Sequence, residues 1–377
     1  MTEMKSIVIA CLFLCHLAVL HAEESVAPAV VGPTLKTEVR VMTYDSMIAK
    51  AGLGSAVELI YSSEYPKCRV KWIASGNGGQ ILTKLELSKE RGVQPDADIA
   101  IGVDYFSWSR SKVFAEAPSV AAKVEVRTAK LIAPLQVKSL KKAYSEGLVP
   151  FDYGILALIA NQKLLKELKL EKPASLASLT DAKFKKQWLL EDPRTSTPGF
   201  GFLALTSSVV EKKKFSQFWK NLSRSWLALP PGWEAAYGIF MKGEAPLVWS
   251  YTTSEAYHRA KEKLKPGDEG NYVSLLFEEG NPIQLEGAFT IKRLKRSDAE
   301  RECIEGFYEV LLSQELQSKV AKANWMLPVR SGVELPEEFR KLPTPAKESQ
   351  WIWGLSDAKD SKNSHEKLLD QWAKAIE

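Results

Sequence analysis

Residues 97–103 read ADIAIGV, and this short apolar run decides the class of the fold. Runs of about four to eight apolar residues are typical of strands buried on both faces of a parallel sheet. Two earlier segments, 38–43 (EVRVMT) and 69–74 (RVKWIA), alternate apolar and polar side chains and predict two more strands. Residues 79–91, between the second and third strands, carry an apolar stripe at helical spacing. The pattern predicts an α/β sheet covered by helices.

The second half of the chain repeats this pattern. Strands are predicted at 154–160 (GILALIA), 188–191 (WLLE) and 246–251 (PLVWSY). Helices are predicted at 198–210, 254–264 and 364–376. A further helix begins at a capping box formed by Ser297 and Glu300.

The chain is long enough to form two lobes. Its 377 residues exceed the roughly 250–300 at which a single hydrophobic core usually stops growing. Crossovers between the lobes are expected at 149–154 (VPFDYG) and 278–282. The predicted first lobe comprises residues 38–148 plus about 283–377, and the predicted second lobe comprises residues 149–282.

The first 22 residues have the composition of a secretory signal peptide. Lys5 precedes an almost wholly apolar run at 7–20, which is shorter than the roughly 20 residues of a membrane-spanning helix. The segment VIAC, ending at Cys11, resembles a lipobox, but cleavage there would leave almost no apolar core, so lipid anchoring is disfavoured. We expect a cleaved signal peptide at 1–22, a flexible leader at 23–37 and export to the periplasm.

Charge and cysteine content argue against several kinds of partner. The net charge of +5 is scattered, without the basic stripe and interleaved aromatic residues that nucleic-acid binding requires. After cleavage only Cys68 and Cys303 remain, as two buried thiols or as one bridge. Neither belongs to a metal-binding motif. We expect no nucleic-acid partner and no metal.

The sequence carries no recognisable catalytic motif. His258 is the one histidine that a site could use, and no GxSxG motif accompanies it. The stretch 76–79 (GNGG) precedes a predicted helix but lacks the lysine and hydroxyl residue of a phosphate loop. We therefore expect a protein that is not an enzyme and holds no cofactor.

Three polar segments lie at predicted strand-to-helix junctions. They read DPRTSTPG at 192–199, GWEAAYG at 232–238 and SYTTSEAYH at 250–258. Such junctions lie at the carboxyl ends of strands, where open α/β sheets bind their ligands. The three segments are therefore the candidate ligand site.

Aromatic and hydroxyl side chains dominate these junctions. Ser196 and Thr197 stand at the start of a predicted helix, where they bind a polar group or simply cap a turn. Trp233 is either a stacking surface or a core residue, and Asp45 after the first strand supplies either a carboxylate or a cap. A cationic ring on an aromatic face gains about 0.5–2 kcal/mol. The combination suits a flat, cationic, hydrogen-bonding ligand.

The motifs recur together in one family. Besides the three junctions they include TYDS at 43–46, FDYG at 151–154, KGE at 242–244, NWM at 324–326 and PV at 328–329. In this order they resemble the periplasmic thiamine-binding proteins of bacterial ABC transporters, from about residue 39 to residue 342. The resemblance implies two α/β lobes of the type II periplasmic-binding-protein fold, which close on the ligand about a hinge.

The resemblance also implies which residues contact the ligand. The predicted site comprises Tyr44, Asp45, Asn77, Gly78, Ser196, Thr197, Trp233, Tyr251, Thr252, Thr253, Ser254, Glu255, Tyr257 and Trp325. Two positions depart from the family: Asn77 stands where the family has an acidic residue, and Glu255 stands where proline is frequent.

The expected function is capture of thiamine, its monophosphate or its diphosphate. The partners implied are an inner-membrane ABC permease and its ATPase, with the binding protein acting as a monomer. One alternative is a binding protein for another cation, a polyamine or ferric iron. A second is a thiamine-processing enzyme, which would need a cysteine nucleophile in the cleft.

Overall fold

The computed structural model describes residues 36–116, 143–347, 350–352 and 361–377. The strands are β1 (Thr37–Thr43), β2 (Cys68–Ala74), β3 (Ile99–Asp104), β4 (Val149–Asn161), β5 (Trp188–Leu189), β6 (Trp226–Ala228), β7 (Leu247–Tyr251), β8 (Tyr272–Leu275), β9 (Asn281–Thr290), β10 (Leu327–Pro328) and β11 (Trp351–Ile352). The predicted signal peptide, and the predicted leader before residue 36, lie outside the described residues.

Helices connect these strands. They are α1 (Leu53–Glu64), α2 (Gly78–Glu90), α3 (Trp108–Ser111), α4 (Gln162–Glu167), α5 (Thr197–Val209), α6 (Phe215–Leu222), α7 (Trp233–Met241), α8 (Thr253–Lys261), α9 (Asp298–Leu311), α10 (Gln314–Ala323) and α11 (Ser361–Ile376). Each predicted strand and helix named above is present, with ends that differ by a few residues. No helix among the described residues combines the length and apolarity needed to cross a membrane.

The eleven described strands belong to one mixed sheet. Eight strands follow one another in the order β2-β1-β3-β9-β4-β7-β5-β6. β1 pairs in parallel with β2 and β3, and β5 pairs in parallel with β6 and β7. The central strands β9 and β4 run antiparallel to each other and to β3 and β7 respectively. The predicted α/β class is thus confirmed.

The two central strands are longer than the sequence patterns indicate. β4 includes the segment 149–154 that was predicted as a crossover, and it is buried along nearly its whole length. β9 was not predicted, because Gln284 and Glu286 interrupt its apolar pattern, yet every one of its ten residues is buried. A strand that is buried with polar side chains on one face is expected where those side chains serve a site.

Apolar packing occurs on both sides of the central strands. One cluster joins β1, β3, α1, α9 and α10 around residues such as Val41, Ile101 and Phe307. Another joins β4, β5, β7, α5 and α6 around Trp188 and Trp249. The C-terminal helix α11 packs into this second cluster, although its residues were assigned by sequence to the first lobe. The lobe boundaries themselves stay a prediction.

Cys68 and Cys303 form a disulfide. Their Cα atoms are 5.7 Å apart, within the usual range for such a bond. The bond joins the start of β2 to α9, and it decides between the two alternatives that the sequence left open. Since disulfides persist in oxidising compartments, it agrees with an exported protein.

Candidate functional site

The junction at 192–199 and the turn before α2 lie against each other. Ser196 caps α5 by accepting a hydrogen bond from the Gly199 N–H at 3.4 Å. Thr197 donates its hydroxyl to a carboxyl oxygen of Asp104 at 3.3 Å. A Cβ on Gly78 would stand 2.8 Å from the Gly102 carbonyl oxygen and 3.7 Å from the Thr197 hydroxyl. Glycine at position 78 thus permits this close approach.

Asn77 and Asp45 hold the turn before α2 in place. The Asn77 side chain caps α2 by accepting from the Gln80 N–H at 3.0 Å, and Gln80 completes the capping box. Asp45 accepts from the Gly76 N–H at 2.8 Å. All of these groups are exposed, and Asp45 and Asn77 each accept from a backbone N–H of this turn or of the first turn of α2. Both predicted ligand residues therefore have a structural role in the loop.

Trp233 presents part of its ring to solvent at the start of α7. Its side chain remains 36% exposed, and its indole N–H donates to the Ser250 hydroxyl at 2.7 Å. One face stacks on Tyr237, with ring centroids 4.9 Å apart. Ser250 in turn bonds to Ser254 at 2.8 Å. The ring is thus oriented by buried partners while an accessible part remains.

The junction after β7 combines buried hydroxyl residues with the half-buried ring of Tyr251. Thr252, Thr253 and Ser254 are buried, and the Thr252 hydroxyl has no hydrogen-bond partner. Glu255 accepts from the Ser274 N–H at 2.8 Å, so its carboxylate is committed to β8. Tyr251 is half-buried and donates its hydroxyl to Gln284 at 2.7 Å.

Tyr257 and Trp325 meet edge to face. Their ring centroids are 5.1 Å apart, with an interplanar angle of 86°. Trp325 has a left-handed backbone, φ 52°, and its ring also stacks on Phe339. A bulky residue in that conformation is uncommon and is kept where the surroundings require it.

His258 belongs to a buried hydrogen-bonded group. It bonds to the Tyr237 hydroxyl at 2.8 Å and stacks on Tyr272. Burial lowers the pKa of His258 to about 4. It is therefore neutral at ordinary pH and has a structural position in α8.

Three buried carboxyls, which the sequence patterns did not predict, lie side by side on three adjacent strands. Glu286 on β9 pairs with Asp104 on β3 on one side and with Asp152 on β4 on the other. We call these three residues the acid row. All three are at least nine-tenths buried. Like charges directly opposite each other destabilise a sheet, so the row requires an explanation.

Two register shifts create the acid row. The pairing of β3 with β9 shifts between residues 101 and 103, and that of β4 with β9 shifts between 150 and 152. Without the first shift Val103 would face Glu286, and without the second Phe151 would. Such β-bulges are frequent beside functional sites, where they redirect side chains. Here both bulges bring a carboxyl to the same point.

Two aromatic residues of the predicted site, Tyr44 and Tyr251, border the acid row. Asn324 donates its amide hydrogens to Tyr44 at 2.9 Å and to Asp152 at 2.6 Å. Burial, followed by the negative charges of Glu286 and Asp152, raises the pKa of Tyr44 well above its usual value. Burial, followed by the charges of Glu286 and another acid, Glu191, does the same for the pKa of Tyr251.

The carboxyls themselves are poorly solvated. Burial raises the pKa of Glu191 to about 8, and neither of its carboxyl oxygens has a hydrogen-bond partner. Burial is also the main cause that raises the pKa of Asp104, Asp152 and Glu286. Among the described residues, no lysine, arginine or histidine forms an ion pair with any of these four carboxyls. The site is suited to a ligand that brings positive charge or N–H groups.

The sequence contained a partial signal for the acid row. Asp104 directly follows the strand predicted at 97–103, and Asp152 belongs to the quoted FDYG motif, but their meeting depends on pairing with an unpredicted strand. Of the predicted site, Gly78, Ser196 and Thr197 lie together, as do Tyr257 and Trp325. No group of three or more His, Cys, Asp or Glu residues in the described part of the chain is arranged to hold a metal ion.

Comparisons with known proteins agree with this architecture. Residues 60–347 match the family model for bacterial extracellular solute-binding protein. The thiamine-binding periplasmic protein of Salmonella typhimurium is 33% identical over 323 residues, which cover 85% of this chain and 88% of that protein. The protein of the same name from Brucella melitensis is 31% identical over 334 residues, covering 87% and 89%.

A solved structure extends the comparison to three dimensions. A periplasmic thiamin binding protein superposes with a TM-score of 0.73 at 29% sequence identity, covering 92% of this chain and 98% of that chain. The predicted solute-binding fold is confirmed by this similarity. The family model, the two relatives and the solved structure each cover most of the chain, and all of them are solute-binding proteins. The chain therefore belongs to the bacterial extracellular solute-binding proteins.

Proposed function

We propose that this protein captures thiamine, or its mono- or diphosphate, in the periplasm and delivers it to an inner-membrane ABC permease driven by an ATPase. It acts as a monomer after its signal peptide has been cleaved. Its relatives are named for thiamine binding, and the disulfide between Cys68 and Cys303 suits the periplasm.

One observation carries the proposed ligand class. Buried carboxyls without cationic partners lie beside the rings of Tyr44 and Tyr251, with Asp104 at the end of β3 and Glu286 within β9. A buried charge is costly unless a counter-charge or hydrogen-bond donor compensates for it. Thiamine carries a quaternary thiazolium ring and an aminopyrimidine ring, and so supplies both positive charge and N–H groups in a flat molecule.

The same geometry disfavours an enzyme. Cleavage of thiamine by a cysteine nucleophile requires a thiolate, whereas Cys68 and Cys303 are bonded to each other. His258 is committed to Tyr237 and Tyr272. These contacts support a binding role.

The test is direct binding to the purified protein. Native mass spectrometry identifies any co-purified ligand, and calorimetric titration with thiamine, thiamine monophosphate and thiamine diphosphate ranks the three. We expect saturable binding below micromolar for at least one of them and unchanged ligand after incubation. Absence of such binding would overturn the proposed ligand, and turnover would overturn the binding role. Spermidine and ferric citrate serve as competitors for the alternative cation class.

A further inference from the structure

Asp152 and Glu286 each have one engaged and one open carboxyl oxygen. Asp152 Oδ2 accepts from Asn324 at 2.6 Å, and Glu286 Oε1 accepts from Gln284 at 2.7 Å. The other two oxygens, Asp152 Oδ1 and Glu286 Oε2, are buried and have no partner. Because the residues are paired across β4 and β9, their Cβ atoms are separated by about 4.5–5.5 Å.

Unpaired buried acceptors of this kind are unusual in a folded protein. Each carries an uncompensated desolvation penalty when it is left without a donor. One bulge, between residues 150 and 152 of β4, brings the two carboxyls opposite each other, although ordinary pairing would have placed Phe151 beside Glu286. The structure thus maintains two neighbouring open acceptors at the expense of stability, which indicates that a ligand completes them.

The open oxygens require N–H or O–H donors, which distinguishes between the two rings of the proposed ligand. A thiazolium nitrogen is quaternary and carries no hydrogen, so it gives electrostatic attraction but no hydrogen bond. The aminopyrimidine ring carries an exocyclic amino group with two hydrogens. One such group can donate to two acceptors on adjacent strands.

We infer that Asp152 and Glu286 form a subsite for the amino group of the ligand's aminopyrimidine ring. This inference rests on the proposed function and deepens it. Asn324 and Gln284 are positioning residues, since each holds the engaged oxygen of one carboxyl and leaves the other oxygen free. Phosphate groups of a phosphorylated ligand are repelled by the acid row and must lie away from it.

The test compares thiamine with oxythiamine, in which a carbonyl oxygen replaces the amino group. In the wild-type protein we expect thiamine to bind at least tenfold more tightly. In Asp152→Asn and in Glu286→Gln, an amide N–H can face the carbonyl of oxythiamine, so the preference should fall at least tenfold and reverse in the double variant. Two separate variants are used so that a folding failure in one leaves the other informative.

A matched control is Glu279→Gln. Glu279 lies just before β9, is partly buried and has one carboxyl oxygen without a hydrogen-bond partner. Its other oxygen accepts from the Leu176 N–H, outside the acid row. Its preference for thiamine over oxythiamine should equal that of the wild type. Melting curves establish that each variant is folded.

The outcomes separate the two proposals. If the wild-type protein binds neither thiamine nor its phosphates, the proposed function fails. If it binds thiamine but does not distinguish oxythiamine, or if the preference is unchanged in Asp152→Asn and Glu286→Gln, the subsite is wrong and the proposed function stands.

Discussion

Trp233 and Ser250 are joined by a hydrogen bond of 2.7 Å from the indole N–H to the serine hydroxyl, although they belong to different elements, α7 and β7. Tyr237 supports one face of the same indole. The N–H edge of the indole is therefore held by Ser250, one face is covered by Tyr237, and the rest of the ring is accessible to solvent. This arrangement is expected of a side chain that stacks on a ligand.

Replacing Trp233 tests that role. Trp233→Ala should weaken thiamine binding by about tenfold or more, because stacking is worth about 0.5–1.5 kcal/mol and cation–π attraction about 0.5–2 kcal/mol. The affinity of Trp233→Phe should lie between those of the wild type and Trp233→Ala. Calorimetric titration measures the loss, and Met241→Ala, at the other end of α7 and similarly exposed, is the control. An affinity in Trp233→Ala equal to that of Met241→Ala would show that the indole only packs.

Gly102 lies in the bulge that places Asp104 in the acid row. Its φ of 90° is unfavourable for other residues, and a Cβ there would lie 2.3 Å from the Tyr44 ring. Gly102→Ala should therefore displace Tyr44, lower stability by about 1–3 kcal/mol and weaken ligand binding. Urea unfolding and titration report the two effects. Gly92→Ala, also at positive φ but with open space around it, should lose stability without losing affinity.

The disulfide should contribute stability without contributing affinity. Replacing both Cys68 and Cys303 by serine is expected to lower the free energy of unfolding by about 2–5 kcal/mol. Cys68 stands at the start of β2, whereas the turn at Asn77 follows the other end of that strand. Thiamine affinity should therefore stay within about twofold. A reduced wild-type sample should behave like the double variant, and equal stability with and without dithiothreitol would contradict the prediction.

Glu191 should make stability depend on pH. Its pKa is about 8 in the folded protein, so between the unfolded value, about 4.3, and pH 8 the folded state holds a proton that the unfolded state has lost. Stability therefore falls as pH rises through this range, by up to about 1.4 kcal/mol per pH unit, and becomes flat above it. Glu191→Gln should remove this contribution.

The useful window for this measurement is pH 6.5 to 8. Below it, His258 and His365 act in the opposite direction, because their folded pKa values are lowered to about 4 and about 3 and unfolding there takes up protons. Urea unfolding at half-unit steps gives the slope in wild type and variant. Identical slopes in wild type and variant would mean that Glu191 does not change its protonation on unfolding in this pH range.

Local patterns sufficed for much of the fold. The apolar run at 97–103 became β3, and Ser297 opens α9 with the predicted capping box. β9 escaped detection because its polar residues face a site, so its pattern violates the rule that buried strands are apolar. The acid row was beyond reach for a different reason: it depends on register shifts between distant segments, and periodicity carries no information about register.

The site, like the fold, was predicted from the sequence only in part. Trp233 and Tyr251 were predicted from their place at strand ends, and the structure puts both beside polar partners. Asn77 and Glu255 are held by hydrogen bonds to the backbone of their own surroundings, which a sequence cannot distinguish from contacts to a ligand. Their assignment to the ligand stays a prediction that the variants Asn77→Ala and Glu255→Gln can settle.

The bond between Cys68 and Cys303 also constrains the order of events during export. The two cysteines are 235 residues apart, and β9, which pairs with β3, is likewise supplied late in the chain. A chain that crosses the membrane from its N-terminus therefore releases β1, β2 and β3 long before their covalent and hydrogen-bonded partners arrive. Until the last third has been translocated, β3 has no β9 to pair with and Cys68 has no partner thiol, so the oxidant that closes the bond acts on a nearly complete polypeptide.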